Sequence, residues 1–262
     1  MTMFGKRILL LVPHPDDEAV GFCTAIGKAQ KQGAEIFALY LTHGCIARAN
    51  MWPWARKHYE TNIARRRAEA GKTAALLNIT QLAPPGTEWP TRPARHLRLE
   101  MDKAREEIAA AIAQHNIDQI WAPAYEGGNA DHDVTNALAA SFMPQPGALE
   151  FAEYNFAGGK ARAQEFPSLH GDEQILKLSL AAQQKKRMAL AAYESEQKNL
   201  GYVGIARECW RPLAAYDYSR PPHEGKLWYA RFRWVPFRHP RVDFTRPRQV
   251  SAAITEFFAN RK

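Results

Sequence analysis

The segment ILLLVPHPDDE (residues 8–18) joins an apolar run to a cluster of one imidazole and three carboxylates. A short apolar run bounded by turn residues is typical of a buried strand. The acidic cluster therefore falls where a first strand would end. Like charges gathered at one place are unfavourable unless a cation lies among them, so the segment predicts a metal site.

Strand-like and helix-like segments alternate around this segment in the first half of the chain. Predicted strands cover residues 7–12, 35–41 and 118–121, and predicted helices cover residues 18–32, 54–78, 94–115 and 134–142. This order predicts an α/β fold, a Rossmann-like and mostly parallel sheet with helices on both faces. Ligands of such sheets gather at the carboxyl ends of the strands, where the acidic cluster lies.

The second half is less regular. Residues 172–200 are predicted to be helical, and alternating aromatic residues at 228–234 predict an additional strand in a C-terminal region with extra strands. Linkers are short, and we find no repeat and no low-complexity stretch. We therefore expect one domain over residues 1–262.

Composition limits the classes of function. The net charge of +8 fits nucleic acid, an anionic substrate or a solubility charge, and the scatter of the basic residues favours the last, without nucleic acid as a partner. No apolar run is long enough to span a membrane. The apolar start is interpreted as a strand and not as a signal peptide. Three scattered cysteines favour a reducing compartment, and we expect a cytoplasmic protein.

A second polar cluster, EGGNADHD (residues 126–133), also follows a predicted strand and precedes a predicted helix. His14 and Asp17 are three residues apart across a proline-stiffened turn, so both side chains can converge on one ion, and His132 could be a third ligand. A catalytic zinc usually has three protein ligands and keeps a position for water. The alternative is that the carboxylates cap helix starts and that His14 is an ordinary loop residue.

Both clusters resemble the motifs of a known family. PHPDDE (residues 13–18) and GGNADH (residues 127–132) are similar to the motifs of the PIG-L/LmbE family of zinc-dependent N-acetylglucosamine deacetylases. Arg66 and Glu69, followed by AALL at residues 74–77, resemble the family's helix after the second strand. The resemblance covers residues 6–134, about half of the chain.

The resemblance implies a role for each matching residue. His14, Asp17 and His132 would bind one Zn²⁺ per chain, or another divalent transition metal. Asp16 would be the general base, Asp131 would orient a neighbouring polar group, and Arg66 would lie near the substrate sugar. The implied partner is a small-molecule amino-sugar conjugate. An oligomer is compatible with the sequence but not derivable from it.

One position departs from the family pattern. Asn129 stands where the family usually has a histidine. Its amide can still donate a hydrogen bond to an oxyanion, but it cannot act as an acid. Asp16 would then move the proton alone, or another residue such as His43 or Tyr125 would supply it.

The function implied is hydrolysis of the N-acetyl group of an N-acetylglucosamine-containing small molecule. The alternatives are a metal-dependent hydrolase of another amide or ester, and a catalytically weak sugar-binding protein. Two further groups of residues have two possible interpretations each. The aromatic cluster at residues 51–54 is interpreted as core in preference to a pocket wall. Arg92, Arg95, His96 and Arg98 are interpreted as a solvated helix start in preference to an anion site.

Overall fold

The computed structural model describes residues 3–232, 234, 235, 237 and 239–261. Its strands are β1 (Arg7–Val12), β2 (Glu35–Tyr40), β3 (Thr80–Leu82), β4 (Gln119–Pro123), β5 (Gly147–Ala152), β6 (Tyr154–Asn155), β7 (Arg162–Ala163), β8 (Gln174–Lys177) and β9 (Arg207–Pro212). Its helices are α1 (Asp17–Val20), α2 (Cys23–Lys31), α3 (Tyr59–Leu77), α4 (Met101–His115), α5 (Ala130–Ala140), α6 (Leu180–Ala191) and α7 (Pro247–Ala259). Short 3-10 turns lie at Arg48–Asn50, Pro53–His58, Leu97–Leu99, Ala157–Gly159 and Glu194–Glu196.

Seven strands form one sheet in the order β3-β2-β1-β4-β5-β9-β8. The pairs from β3 to β5 are parallel, whereas β9 runs antiparallel to both β5 and β8. A small antiparallel ribbon joins β6 and β7. The predicted Rossmann-like, mostly parallel α/β fold with extra C-terminal strands is confirmed.

The central strand β1 explains why its sequence is continuously apolar. Ile8, Leu10 and Val12 pack into one core, and Leu9 and Leu11 pack into a second core on the opposite face of the sheet. Successive side chains of a strand point to opposite faces, so a strand covered by helices on both sides is apolar at every position.

Several predicted helices have different bounds. The predicted helix at residues 18–32 is two helices, because the chain turns at Gly21 and Phe22 between α1 and α2. A Cβ at Gly21 would lie 2.8 Å from Oε1 of Glu153, so this turn passes close to a buried carboxylate. Helices α3 and α4 are each preceded by a 3-10 turn, and α5 begins at Ala130 and not at residue 134.

Of two predictions in the second half, one is partly wrong and the other is wrong. Part of the predicted helix at residues 172–200 is strand β8, because this segment pairs with β9, which lies far along the chain. The predicted strand at residues 228–234 forms turns at residues 228–232 and 234, and residue 233 lies outside the described residues. There the Trp228 N–H donates to the carbonyl of Gly127, across to the second polar loop. None of the described helices has both the length and the apolar character needed to cross a membrane.

Candidate metal centre

Three ligand atoms of the predicted metal site surround one point. Oδ2 of Asp17 lies 3.2 Å from Nδ1 of His14 and 3.2 Å from Nε2 of His132. The two ring nitrogens are 3.3 Å apart. All three side chains are buried. Zinc–nitrogen bonds of about 2.0–2.1 Å in tetrahedral geometry give ligand atoms about 3.3–3.4 Å apart, so this donor set fits such an ion.

The topology of the sheet brings these residues together. Strands β1 and β4 are parallel neighbours, so their carboxyl ends lie at the same edge of the sheet. His14 and Asp17 follow β1, and His132 is in the first turn of α5 after β4. Two loops distant in sequence therefore converge because of one pairing in the sheet.

The first loop is held in an unusual backbone conformation. Asp16 has a φ of 143°, a region that residues other than glycine rarely occupy. The backbone N–H of His14 donates to Oδ2 of Asp17 at 2.8 Å. The side chain of Asp16 makes no capping hydrogen bond to α1, so the capping alternative is wrong for this residue. Such strain is often found at functional sites.

The second loop depends on two glycines and a cap. Gly127 has a φ of 71°, and a Cβ at Gly128 would lie 2.2 Å from the carbonyl oxygen of Tyr154. Only glycine allows this close approach. Asn129 then caps α5, because its Oδ1 accepts the Asp131 N–H at 2.9 Å. This cap fixes the start of the helix that carries His132.

Each imidazole also faces a second carboxylate. Nε2 of His14 lies 3.0 Å from Oδ2 of Asp131, whose carboxylate also accepts the backbone N–H groups of Arg95 and Leu97. Nδ1 of His132 lies 3.5 Å from Oε2 of Glu153, which is fully buried. Carboxylates in these positions typically fix the orientation of metal-binding histidines.

The electrostatics of the cluster favour a cation at its centre. Burial disfavours the charged form of His14, but Asp131 and Asp17 outweigh this effect and raise the pKa of His14 to about 10. Burial also opposes ionisation of Asp17, yet the charge of His132 and hydrogen bonds from both imidazoles hold its pKa well below the usual range. Asp17 and Asp131 thus stabilise positive charge between them.

Asp16 is a further carboxylate outside this triangle, besides Asp131 and Glu153. Burial raises the pKa of Asp16 well above its usual range, and Arg66 opposes the shift. Nη2 of Arg66 lies 3.5 Å from Oδ2 of Asp16, and Nη1 lies 3.1 Å from Oε1 of Glu196. Arg66 also donates to the carbonyl of Pro15. These contacts hold Asp16 in place, and the role of Arg66 near a substrate sugar stays a prediction.

A cavity of about 660 Å³ opens onto the cluster. Its lining includes all the predicted site residues except Asp131 and His132, which lie behind the wall. Tyr154, Tyr202 and Trp228 form an aromatic wall, with ring centroids of Tyr154 and Tyr202 4.6 Å apart. Trp52 also lines the cavity and Trp54 is 68% exposed, so the interpretation of residues 51–54 as core is wrong for both indoles.

Neither candidate replacement for the missing histidine is among the described residues that line this cavity. His43 contacts the Tyr59 hydroxyl at 3.1 Å and accepts the Cys45 N–H. The Tyr125 hydroxyl donates to the carbonyl of Arg220 at 2.6 Å. No sequence pattern predicted Glu153, Tyr154 and Glu196, which also belong to the site. Glu153 directly follows β5, so recognition of that strand would have placed its carboxylate at the same edge of the sheet.

Comparisons with known proteins identify the family. A family model described as "PIG-L: GlcNAc-PI de-N-acetylase" matches residues 9–143, just over half of the chain. No curated protein matches the sequence.

Three solved structures share the fold at low sequence identity. A deacetylase of the teicoplanin biosynthesis pathway is 17% identical, with a TM-score of 0.59, over 80% of this chain and 99% of its own. An N,N'-diacetylchitobiose deacetylase from Pyrococcus horikoshii is 18% identical, with a TM-score of 0.53, over 83% and 84%. A 4-carboxy-2-hydroxymuconate hydratase from Pseudomonas putida is 13% identical, with a TM-score of 0.52, over 81% and 98%.

Proposed function

The chain belongs to the PIG-L family of de-N-acetylases, and on this premise we propose that it removes the acetyl group from an N-acetylglucosamine-containing small molecule. The products would be acetate and a free amino sugar. Membership of the family makes the chain a metal-dependent amide hydrolase. We propose the identity of the sugar and of the metal. A cytoplasmic location is also proposed, supported by three free cysteines.

The observation that carries the proposal is the triangle of ligand atoms with edges of 3.2–3.3 Å. His14, Asp17 and His132 would hold one Zn²⁺, or another divalent transition metal, in a cavity that also receives Asp16. When bound, such an ion acts as a Lewis acid toward water and toward the carbonyl oxygen of the acetamide.

Asp16 is the residue that we propose to move protons. Its carboxylate lines the cavity and is not a member of the triangle. In the proposed reaction Asp16 takes a proton from the attacking water as the new C–O bond forms at the acetyl carbon. It returns the proton to the sugar nitrogen as the C–N bond breaks, so one water is consumed and acetate leaves.

Asn129 is the residue that we propose to stabilise the oxyanion. Asn129 lines the cavity, and with its Oδ1 accepting the Asp131 N–H its Nδ2 can still donate. A fixed donor at the developing oxyanion stabilises the transition state of acyl transfer. Asp131 acts behind the wall, where it fixes the ring of His14.

A second candidate function rests on Asn129 and on the fold. Asn129 supplies no acid, so proton delivery to a poor leaving group falls to Asp16 alone. The hydratase that shares the fold acts on a substrate other than an acetamide. Hydrolysis of another amide or ester in the same cavity, or sugar binding with weak catalysis, is therefore the alternative.

Metal analysis combined with an acetate-release assay tests the proposal. The purified protein is expected to contain one equivalent of zinc or a similar ion and to release acetate from at least one member of a panel of N-acetylglucosaminides. The matched panel of glucosaminides with other acyl groups measures selectivity for acetyl. Stoichiometric metal without acetate from any sugar would favour the second candidate.

A further inference from the structure

A second cavity of about 590 Å³ adjoins the first. It is bordered by the turn at Pro53–His58, by residues 95–98 and by part of the segment 239–249. The two cavities share a wall formed by Met51, Trp52, Arg95, Pro240 and Asp243. Part of this wall lies beyond residues 9–143, the part of the chain that the family model matches.

The second cavity is strongly basic. Arg56, Arg95 and Arg98 line it together with two histidines, His96 and His239. Asp243 is the only carboxylate among the described lining residues. A concave surface with one sign of charge attracts ligands of the opposite sign.

The arginine side chains in this cavity form no ion pair with a carboxylate of the described residues. Arg56 donates to the carbonyls of Ala49 and Met51, and Arg95 donates to the carbonyl of Val242 at 2.9 Å. Nε of Arg98 is buried and has no hydrogen-bond partner among the described residues. A buried donor without a partner is costly unless a ligand or water satisfies it.

Arg92 shows what a structural arginine looks like in the same stretch of sequence. It is buried, and its guanidinium pairs with Glu100 and Glu107 at 3.2 and 3.3 Å. The interpretation as a solvated helix start is therefore wrong for Arg92, which is inside the protein. Its three basic neighbours are half-buried and line the second cavity.

Only the side chain of Asp131 separates the backbone of Arg95, in the wall of the second cavity, from the proposed metal ligand His14. The backbone N–H of Arg95 donates to Oδ2 of Asp131 at 2.5 Å, and the same oxygen faces His14. Trp52 lines both cavities, and its ring meets that of His239 edge-on at 5.6 Å. A substrate with its acetamide at the metal centre can therefore extend along Trp52 into the basic cavity.

We propose that the second cavity binds an anionic group, a phosphate or a carboxylate, carried by the part of the substrate distal to the acetamide. The assignment of this anion to the substrate rests on the proposed deacetylase function. Guanidinium groups recognise both anions through paired, charge-assisted hydrogen bonds. The binding of the anion by itself does not depend on catalysis.

Calorimetric titration of the purified full-length protein with phenyl phosphate, benzoate and neutral benzyl alcohol tests this site. We expect both anions, but not the alcohol, to bind, and the tighter of the two identifies the anion preferred. Arg98→Gln and Arg56→Gln should each weaken anion binding about tenfold, the loss of one charge-assisted hydrogen bond. Arg67→Gln is the control, because Arg67 pairs with Glu88 and lines neither cavity.

The outcomes separate this site from the proposed reaction. Anion binding that weakens in the Arg98 and Arg56 variants supports the site, whether or not acetate is released from any sugar. No anion binding, or binding that both variants leave unchanged, overturns the proposed anion site. The acetate-release assay then tests the proposed deacetylase function independently. If Arg98→Gln does not fold, the exposed Arg56 decides the result alone.

Discussion

The carboxylate of Asp131 and the imidazole of His14 face each other at 3.0 Å, on the side of the ring opposite to Asp17. His14 is therefore held between two carboxylates, one on each ring nitrogen. A histidine held in this way presents Nδ1 to the centre of the cluster with a fixed tautomer once the opposite nitrogen carries the proton.

Asp131→Asn should lower metal affinity about 10–100-fold, because the amide no longer fixes His14 as a carboxylate does. Competition with a chromophoric chelator measures this affinity without reference to activity. Asp133→Asn is the control, since Asp133 is buried in the same helix and accepts the Glu126 and Gly127 N–H groups without contacting either imidazole. Equal losses in the two variants would contradict a specific role for Asp131.

Substitutions of the neighbouring residues Asp16 and Asp17 should separate metal binding from catalysis. Asp17→Ala removes the oxygen that contacts both imidazoles, so metal content and activity should fall together. Asp16→Asn leaves the triangle complete, so the metal should remain while turnover falls by roughly 10²–10⁴, the usual contribution of a general base. Metal analysis and acetate release on the same samples give both readings. Full turnover in Asp16→Asn would remove Asp16 from the proposed role.

Asn129→Asp separates the capping role of Asn129 from its role as a donor. Aspartate caps a helix as well as asparagine does, so thermal stability should change little. The carboxylate offers no N–H to the oxyanion, so kcat should fall by roughly 10²–10³. Asn129→Ala should lose both functions, with about 1 kcal/mol of stability lost as well. Unchanged kcat in Asn129→Asp would show that the oxyanion is stabilised elsewhere.

Local pattern was sufficient to predict the part of the site that lies on parallel strands. The apolar run of β1, the turn after it and the loop after β4 are contiguous segments, and parallel pairing then places both loops at one edge of the sheet. Strand β5 escaped prediction because GALEFA carries a buried glutamate, Glu150, whose charge is paired with Arg211 on the neighbouring strand β9.

The remainder of the site depends on contacts that no local pattern encodes. Glu196 reaches Arg66 from a turn far along the chain, and Trp228 meets Tyr154 and Tyr202 at the cavity wall. The alternating aromatics near Trp228 predicted a strand, yet Trp228 and Phe232 line the cavity from turns. Antiparallel extension of the sheet by β8 and β9 likewise follows from pairing and not from periodicity.

A buried ion pair holds the start of helix α2, which follows the loop that carries His14 and Asp17. Nζ of Lys186 lies 3.1 Å from Oε1 of Glu208, and the carboxylate accepts the N–H groups of Thr24 and Ala25 at the start of α2. Lys186→Met should destabilise the protein by about 3–5 kcal/mol, because Glu208 is left buried without its partner. Chemical denaturation measures the loss, and Arg187→Met, an exposed neighbour, should change it by less than about 0.5 kcal/mol. Similar losses in both would contradict the prediction.

His43 should make the protein less stable in mild acid. Burial lowers the pKa of His43 to about 4, so the folded protein keeps this imidazole neutral where the unfolded chain protonates it. The free energy of unfolding should therefore fall as the pH falls from the unfolded value of about 6.5 towards 4, by up to about 3 kcal/mol. His43→Asn keeps an acceptor near Nδ1 for the Cys45 N–H and removes the titrating ring, so this part of the slope should vanish even if overall stability drops. Urea unfolding at a series of pH values measures the slope, and His58→Asn, at an exposed position, should retain it. A slope that is the same in the wild type and in His43→Asn would assign the acid sensitivity to other groups.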